Sequence, residues 1–235
     1  MPDMIATIAE LWRYPVKGMR GERLSSLQLD EHGIAGDRRW AVRSSGAPRG
    51  KPMLSGAERA AMLLFSASGD GDSTAVTTPD GARFSIHDPA LLAAIAHHLP
   101  GEHSLQLVRS QTPMTDVRPI AMLGYATVRQ LGQELGRPVD ARRFRANLLL
   151  DFPPANEGFA EDGLVGRSIR LGADAILHIT ERDPRCRIVT LDPETAAADP
   201  ALMKHLDRHH EGRVGVYATV ETMACLRVGD PVRLP

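Results

Sequence analysis

A cysteine among arginines is the first candidate for chemistry in this sequence. Cys186 lies between Arg185 and Arg187, and Arg182 precedes it by four positions. Neighbouring cations favour the thiolate form of a cysteine, and a thiolate acts as a nucleophile or as a soft metal ligand. The alternative is a structural cysteine beside surface arginines, and the local sequence leaves both open.

The second cysteine has a different setting. Cys225 stands in the apolar run Met-Ala-Cys-Leu at residues 223–226, which predicts a small buried core residue. Two cysteines cannot alone hold an all-cysteine iron–sulfur cluster, which takes four. Any redox chemistry in this chain would therefore need electrons from elsewhere.

Basic residues gather where predicted strands begin or end. Three arginines fall within residues 142–147, directly before an apolar strand, and could clamp a phosphate through bidentate contacts. Taken alone, we favour the alternative of a solvated basic edge paired with Asp140. Lys17 stands on a predicted turn and Arg38 at the start of a predicted strand. Gly18 would let the backbone approach a ligand closely.

Several histidines follow one another late in the chain. His205 and His209 have the spacing that puts two imidazoles on one helix face, and His210 and Glu211 come next. The glutamate and a third ligand are not placed as in a zinc protease, so we favour a solvated helix end over a metal site. The chain contains no glycine-rich dinucleotide fingerprint, phosphate-loop lysine motif or Gly-x-Ser-x-Gly elbow. Pyridoxal phosphate binding is not expected.

The elements that position these residues are mostly short and β-prone. Many short strands with few helices predict a mostly β (α+β) fold of the barrel or sandwich kind. Strands are predicted over residues 5–14, 24–29, 38–42, 148–150, 168–171, 175–180, 214–220 and 231–234. Because Pro184 disfavours regular pairing, we expect Cys186 on or just beyond a loop.

Two helices are predicted from periodicity and capping residues. The first has Asp88 as its N-cap and Pro89 at its first helical position. The second runs from about Ala126 to Leu135, and Gly136 ends it.

Composition excludes several function classes. The chain has 235 residues, a formal net charge of -1, 43% hydrophobic and 24% charged residues, as in an ordinary globular protein. No global field would recruit nucleic acid or an anionic membrane, so neither is expected as a partner. The beginning of the sequence has no secretory signal pattern, and no apolar stretch approaches the roughly 20 residues of a membrane helix. We predict a cytoplasmic protein.

Several of these segments together resemble one family. In chain order they are residues 11–18 (Leu-Trp-Arg-Tyr-Pro-Val-Lys-Gly), 36–40 (Gly-Asp-Arg-Arg-Trp), 143–147 (Arg-Phe-Arg-Ala-Asn), 185–186 (Arg-Cys), 190–195 (Thr-Leu-Asp-Pro-Glu-Thr), 214–217 (Val-Gly-Val-Tyr) and 228–232 (Val-Gly-Asp-Pro-Val). This series resembles the MOSC family, and within it the amidoxime-reducing branch. The similarity covers essentially the whole chain, and several motifs in order are more specific than any one.

The resemblance implies a fold, a cofactor and a site. It implies an N-terminal β-barrel-like domain over residues 1–110 and a C-terminal MOSC β-barrel over 111–235, with a cofactor cleft between them. The cofactor would be pyranopterin molybdenum, with Cys186 as metal ligand and catalytic residue. The cofactor-binding residues carried over are Lys17, Gly18, Arg38, Asp116, Arg118, Arg145, Asn147 and Arg185. The activity implied is reduction of N-hydroxylated compounds such as hydroxylamines and amidoximes, with electrons from a separate flavin or iron–sulfur protein.

The sequence departs from the family pattern at the predicted pocket. Val117 and Arg118 replace hydroxyl residues, Ala146 replaces a proline, and Asp183 with Pro184 replaces a cysteine and a small polar residue. Arg118 could strengthen anion binding or pair with Asp116. Two alternatives to the enzyme remain: a carrier of sulfur or of the molybdenum cofactor, and a scaffold with a degenerate site.

Overall fold

In the computed structural model, residues 3–48, 50–99, 101, 104–153 and 158–235 are described, and strands dominate them. The strands are β1 (Met4–Arg13), β2 (Glu22–Leu24), β3 (Ser26–Asp30), β4 (Gly33–Ile34), β5 (Trp40–Ser44), β6 (Ser66–Ser68), β7 (Ala75–Thr77), β8 (Arg83–Ser85), β9 (Leu105–Arg109), β10 (Ile120–Gly124), β11 (Leu148–Asp151), β12 (Ser168–Leu171), β13 (Ala175–Pro184), β14 (Arg213–Thr222), β15 (Cys225–Arg227) and β16 (Pro231–Arg233). The helices are α1 (Leu91–His98), α2 (Tyr125–Glu134) and α3 (Pro200–His209). The predicted mostly β fold with a few short helices is confirmed.

Seven strands close into a barrel. Their order is β11-β10-β14-β13-β12-β16-β1, and β1 pairs back onto β11 to complete the ring. Neighbouring strands are antiparallel except β10 and β11, which run parallel. The first strand of the chain thus lies between two strands from its second half, and β2 extends the sheet beyond β1.

Apolar residues face both sides of the barrel wall because helices cover part of its outside. In β11, Leu148 and Leu150 point into the barrel core, whereas Leu149 packs outward. Outward-facing Leu149 joins a cluster with Leu131 of α2 and Leu206 of α3. A strand that is buried on both faces reads as a continuous apolar run, as the three leucines do.

The first half of the chain builds a second core beside the barrel. Small sheets of β5–β9 and β6–β7–β8, together with α1, enclose it. Its large buried residues include Met19, Trp40, Phe65 and Ile95. The strand ladder from β3 to β15 joins the two halves, since β15 follows the barrel strand β14.

Two local predictions need correction. Strand β13 continues past Thr180 to Pro184, which still pairs with Arg213 as bulges shift the register. A proline at a strand end loses no ladder donor that the strand needs. Helix α1 begins at Leu91 rather than after Asp88, because the Asp88 side chain caps a turn by accepting from the backbone N–H of Ala90 at 2.8 Å.

Over the described ranges, no helix combines the length and apolar character needed to cross a bilayer.

Candidate functional site

A cleft of about 680 Å³ lies between the two cores. The residues that the family resemblance assigned to the cofactor site all line it: Lys17, Gly18, Arg38, Asp116, Arg118, Arg145, Asn147, Arg185 and Cys186. Six cationic side chains line it against three carboxylates, so a chain of nearly neutral net charge concentrates positive charge here. Such a cleft favours an anionic ligand.

Cys186 lines the wall of this cleft and is exposed to solvent. It lies two residues beyond the end of β13 and takes the N-cap position of a short 3-10 turn, Arg187–Thr190. The thiol is free and accessible. A strand end gives the residue a fixed place while leaving its sulfur open to a ligand.

Tyr14 organises two of the site arginines. The Cζ atoms of Arg38 and Arg145 lie 4.7 and 4.4 Å from the centre of its ring. Its hydroxyl donates to the carbonyl of Ala146 at 3.2 Å, and burial raises the pKa of Tyr14 to about 12 against the pull of both arginines. The ring therefore stays neutral and holds two cations against one aromatic surface.

The two arginines over Tyr14 differ in their charge partners. Arg38 forms a buried ion pair with Asp37 and donates to the carbonyl of Arg145 at 3.1 Å. Arg145 is buried, and its Nη2 has no hydrogen-bond partner among the described residues. Burial lowers the pKa of Arg145 to about 10, so the guanidinium is still charged at neutral pH. A buried cation without a partner is costly, and an anion in the cleft would offset that cost.

Both residues also have an unusual backbone. Arg38 and Arg145 have positive φ angles of 49° and 52°. Non-glycine residues in the left-handed region cost free energy and concentrate at binding sites. In these conformations both guanidinium groups lie over the ring of Tyr14.

Arg185 is the second arginine with an unpartnered nitrogen. Its Nε donates to the carbonyl of Val214 at 2.8 Å and its Nη1 to that of Phe144 at 2.9 Å. Its Nη1 also lies 2.8 Å from Oδ2 of Asp183, yet its buried Nη2 has no hydrogen-bond partner in the described parts of the chain. Arg145 and Arg185, which both line the cleft, thus each keep one buried donor that the described residues leave unpaired.

Arg142 and Arg143 behave differently from Arg145, although they are its close neighbours. Arg142 pairs with Asp140 at 2.7 Å and also with Glu194. Arg143 lies 3.3 Å from Asp192 and donates to the carbonyl of Thr190. The solvated basic edge paired with Asp140, which was favoured from the sequence, describes Arg142 only, because Arg143 is 11% exposed and pairs with Asp192. Neither residue lines the cleft.

The rim of the cleft is held by ion pairs. Lys17 Nζ donates to Oδ1 of Asp116 at 2.6 Å and to the carbonyl of Met114 at 2.9 Å. Arg118 pairs with Glu181 at 2.8 Å, so the alternative pairing of Arg118 with Asp116 is wrong.

Gly18 has φ +84°, and a Cβ there would lie 2.8 Å from Cα of Ser55. The close approach that this glycine allows is therefore to the protein's own backbone.

Asn147 serves the frame of the site. It is fully buried, accepts from the backbone N–H of Ala121 at 3.2 Å and donates to the carbonyl of Trp12 at 3.2 Å. It also accepts from Arg38 at 3.3 Å. These bonds tie β1 to β10 and position Arg38.

Sequence reasoning missed a buried acid–phenol pair in the cleft wall. Asp183 is 1% exposed, and burial raises its pKa to about 6 even though Arg185 opposes the shift. Tyr217 lines the cleft beside it, and burial followed by the charge of Asp183 raises the pKa of its phenol. Asp183 was noted only as a departure from a motif. Its partner comes from β14, which no local pattern connects to it.

Cys225 contradicts its prediction. It is exposed rather than buried, because strand alternation in β15 turns Leu226 into the barrel core and Cys225 outward. It does not line the cleft.

The residues present fit an anionic cofactor with a soft metal. The cleft combines an accessible thiol with two buried guanidinium nitrogens that lack partners. Planar guanidinium groups suit phosphate, and a thiolate suits a soft metal centre. The same set could also bind and orient a small anionic or polar substrate.

Two protein-family models match the chain. The MOSC N-terminal beta barrel domain matches residues 5–98, and the MOSC domain matches residues 109–233. MOSC domains are associated with binding of the molybdenum cofactor.

Known proteins are similar over the same extent. The mitochondrial amidoxime-reducing component 1 of Mus musculus is 24% identical over 293 aligned residues, which cover 99% of this chain and 83% of that protein. Its namesake from Homo sapiens is 22% identical, with 99% and 84% covered. The crystal structure of the YuaD protein from Bacillus subtilis superposes with a TM-score of 0.55 at 16% identity, covering 99% of this chain and 97% of that one, which concerns the fold alone. The two matched domains account for nearly the whole chain, which belongs to the MOSC family.

Proposed function

We propose that this protein is a molybdenum-cofactor-dependent reductase of N-hydroxylated compounds, with Cys186 as the molybdenum ligand. The observation that carries the proposal is the accessible thiol in a cleft where Arg145 and Arg185 keep unpartnered buried nitrogens. Buried polar atoms without a hydrogen-bond partner are rare in a stable protein unless a ligand or water completes them. The names of the similar proteins support an amidoxime-reducing activity in kind.

Each cleft residue takes a role that its surroundings support. Arg145, Arg38 and Lys17 would contact the phosphate or pterin of the cofactor, and Arg185 would add a hydrogen bond through its free Nη2. Asn147 would hold Arg38 in place. The rim residues Gly18, Asp116 and Arg118 would border the entrance.

The cofactor, when bound, supplies the two-electron chemistry that cleaves an N–O bond. The overall change consumes two electrons and two protons and releases water. Asp183 can hold one of these protons on its carboxyl group, since its pKa of about 6 lies close to neutral pH. Tyr217 lines the cleft near that carboxyl group.

The organisation around this site is part of the proposal. The domain boundary lies near residue 110, and the protein works in the cytoplasm on a small N-oxygenated substrate. A separate flavin or iron–sulfur protein donates the electrons, because the two cysteines cannot hold an all-cysteine cluster. No nucleic acid or membrane partner is proposed.

Metal and pterin analysis tests the cofactor. Protein from a host that makes the cofactor is compared with its Cys186→Ala and Cys225→Ala variants, by elemental mass spectrometry and by fluorescence of the oxidised pterin. Cys225 is the matched control because it is exposed and lies outside the cleft. Molybdenum should approach one per chain in wild type and in Cys225→Ala, and should be lost in Cys186→Ala.

Turnover separates the enzyme from the carrier. The loaded protein, with an artificial reductant, should reduce hydroxylamine or an amidoxime. If the protein transfers the cofactor to an acceptor protein, or carries a persulfide on Cys186, and shows no turnover, it is a carrier and not a reductase. If wild-type protein contains neither molybdenum nor pterin, the remaining interpretation is a scaffold with a degenerate site.

A further inference from the structure

A cluster of metal-binding side chain types lies away from the cleft, at the ends of two helices. Glu134 is the last residue of α2, His205 lies in the last part of α3, and His210 follows α3 directly. None of the three lines the cleft. The sequence grouped His205, His209 and His210 with Glu211 and favoured a solvated helix end over a metal site. Glu211 pairs with Arg182 at 3.2 Å.

The three side chains converge on one point. The Nε2 atoms of His205 and His210 each lie 2.7 Å from Oε2 of Glu134. All three potential ligand atoms lie within 4.8 Å of one another. The side chains are 16%, 14% and 26% exposed for His205, His210 and Glu134, so the cluster is half-sheltered but reachable.

The surroundings hold this geometry in place. The ring of His210 stacks on Phe159 with 4.4 Å between ring centres. Gln130, one helical turn before Glu134, donates to its other oxygen at 2.9 Å. Underneath, Leu131 of α2 and Leu206 of α3 pack in one apolar cluster. Two of the ligands are thus oriented by neighbours that are not themselves ligands, as in protein metal sites.

The charge at this point calls for a cation. A helix C-terminus carries partial negative charge, which disfavours a carboxylate at the end of α2 and favours a positive ion there. The end of α3 adds a second such terminus beside the first.

We propose that Glu134, His205 and His210 form a binding site for a divalent transition metal, with Zn²⁺ as the preferred ion. Two imidazole nitrogens and one carboxylate oxygen leave a fourth tetrahedral position for water. Each imidazole would bind through Nε2 and keep its proton on Nδ1. Ligand atoms around zinc lie about 3.3 Å apart, given metal–ligand bonds of about 2.0–2.1 Å. The observed 2.7 Å contacts need only a small opening of the side chains to admit the ion.

The ligand chemistry selects the class of ion. Imidazole suits zinc and its neighbours among the transition metals, whereas magnesium and calcium require oxygen ligands. His209 provides an internal comparison. Its ring lies 4.6 Å from that of His205, but it is exposed and does not join the converging set.

Titration calorimetry with zinc sulfate tests the site. The experiment uses the full chain with both cysteines replaced by serine, so that thiols do not bind the ion. We expect one zinc per chain, and binding weaker by about tenfold or more in His205→Gln and in Glu134→Gln. His209→Gln is the matched control and should bind as the parent protein does. Circular dichroism checks that each variant is folded.

Cobalt substitution gives an independent readout. Co²⁺ at this site should show the intense visible absorption of a tetrahedral complex, which His205→Gln should lose. The site is overturned if no zinc binds, or if both ligand variants bind it as tightly as the control. Because the cysteines and the cleft take no part, this result is separate from the outcome for molybdenum.

Discussion

Two neighbouring groups of arginines, Arg142 with Arg143 and Arg145 with Arg185, differ in how their charges are paired. On the outer basic edge, Arg142 and Arg143 are met by carboxylates of Asp140, Glu194 and Asp192. Two residues beyond Arg143, Arg145 lines the cleft and keeps a buried nitrogen without a hydrogen-bond partner among the described residues.

The difference lies in neutralisation rather than in residue type. The outer edge satisfies its charges within the chain, and the solvent-exposed pairs of Arg142 contribute little to stability. The cleft leaves Arg145 and Arg185 with open donors, which costs stability until a ligand arrives. A count of arginines therefore says less about a binding site than the acids that face them.

The largest expected effect separates the two exposed cysteines. Cys186→Ser should remove bound molybdenum entirely, because it removes the only thiol that lines the described cleft. Cys225→Ser should retain the metal. Elemental mass spectrometry of the purified proteins measures both, and equal metal in the two variants would contradict the assignment of Cys186 as ligand.

The next effect tests the comparison of arginines directly. Arg145→Met should weaken cofactor retention by about tenfold to a hundredfold, the equivalent of losing charge-assisted hydrogen bonds of about 1.5–3 kcal/mol. The same change should stabilise cofactor-free protein by about 1–3 kcal/mol, since burial already lowers the pKa of Arg145 to about 10.

Arg142→Met is the control for that substitution. It should leave cofactor retention unchanged and should alter stability by less than about 1 kcal/mol. Urea unfolding and pterin content measure both variants. If Arg142→Met loses as much cofactor as Arg145→Met, the proposed difference between the outer basic edge and the cleft is wrong.

A smaller effect concerns pH. The folded-state pKa of Asp183 is raised from its ordinary 3.8 to about 6, so the folded protein binds a proton that the unfolded chain releases between these values. The contribution of Asp183 to the free energy of unfolding should therefore rise by roughly 2 kcal/mol as pH falls from about 7 to about 4.

Asp183→Asn should abolish that contribution. Urea unfolding of cofactor-free wild type and variant at several pH values measures it. The stability of wild type relative to the variant should increase toward acid pH. A difference that stays constant with pH would show that the carboxyl group titrates at its ordinary value.

The smallest effect is expected at the rim. Arg118 is already paired with Glu181 and is half exposed. Arg118→Ala should change cofactor retention by no more than about threefold and stability by less than about 1 kcal/mol. A tenfold loss of retained pterin would instead mean that Arg118 leaves Glu181 to bind the cofactor.

The sequence predicted those residues of the site that belong to short motifs along the chain. Strand alternation and turn residues gave the β-rich fold, and motif order brought Lys17, Arg38 and Arg145 together with Cys186. Contacts between distant segments were beyond reach. Glu134 meets His205 across 71 positions, and no periodicity in either helix encodes that meeting.

The prediction that Cys225 is buried was wrong for a physical reason. The apolar neighbours of Cys225 predicted burial, but in a strand the adjacent residue faces the opposite side. Leu226 takes the core position and leaves Cys225 outside. Local composition does not fix which of two alternating faces a residue occupies.

The closed barrel has a consequence for the making of the protein. Strand β1 needs β16 as a lateral neighbour, and residues 231–233 are synthesised long after residues 4–13. At about 5–20 residues per second, the first strand waits on the order of 10–45 s on the ribosome for that neighbour. During this time one of its edges is open to wrong partners or to a chaperone. Ring closure, and with it any loading of the cleft, thus cannot come before residues 231–233 have been synthesised.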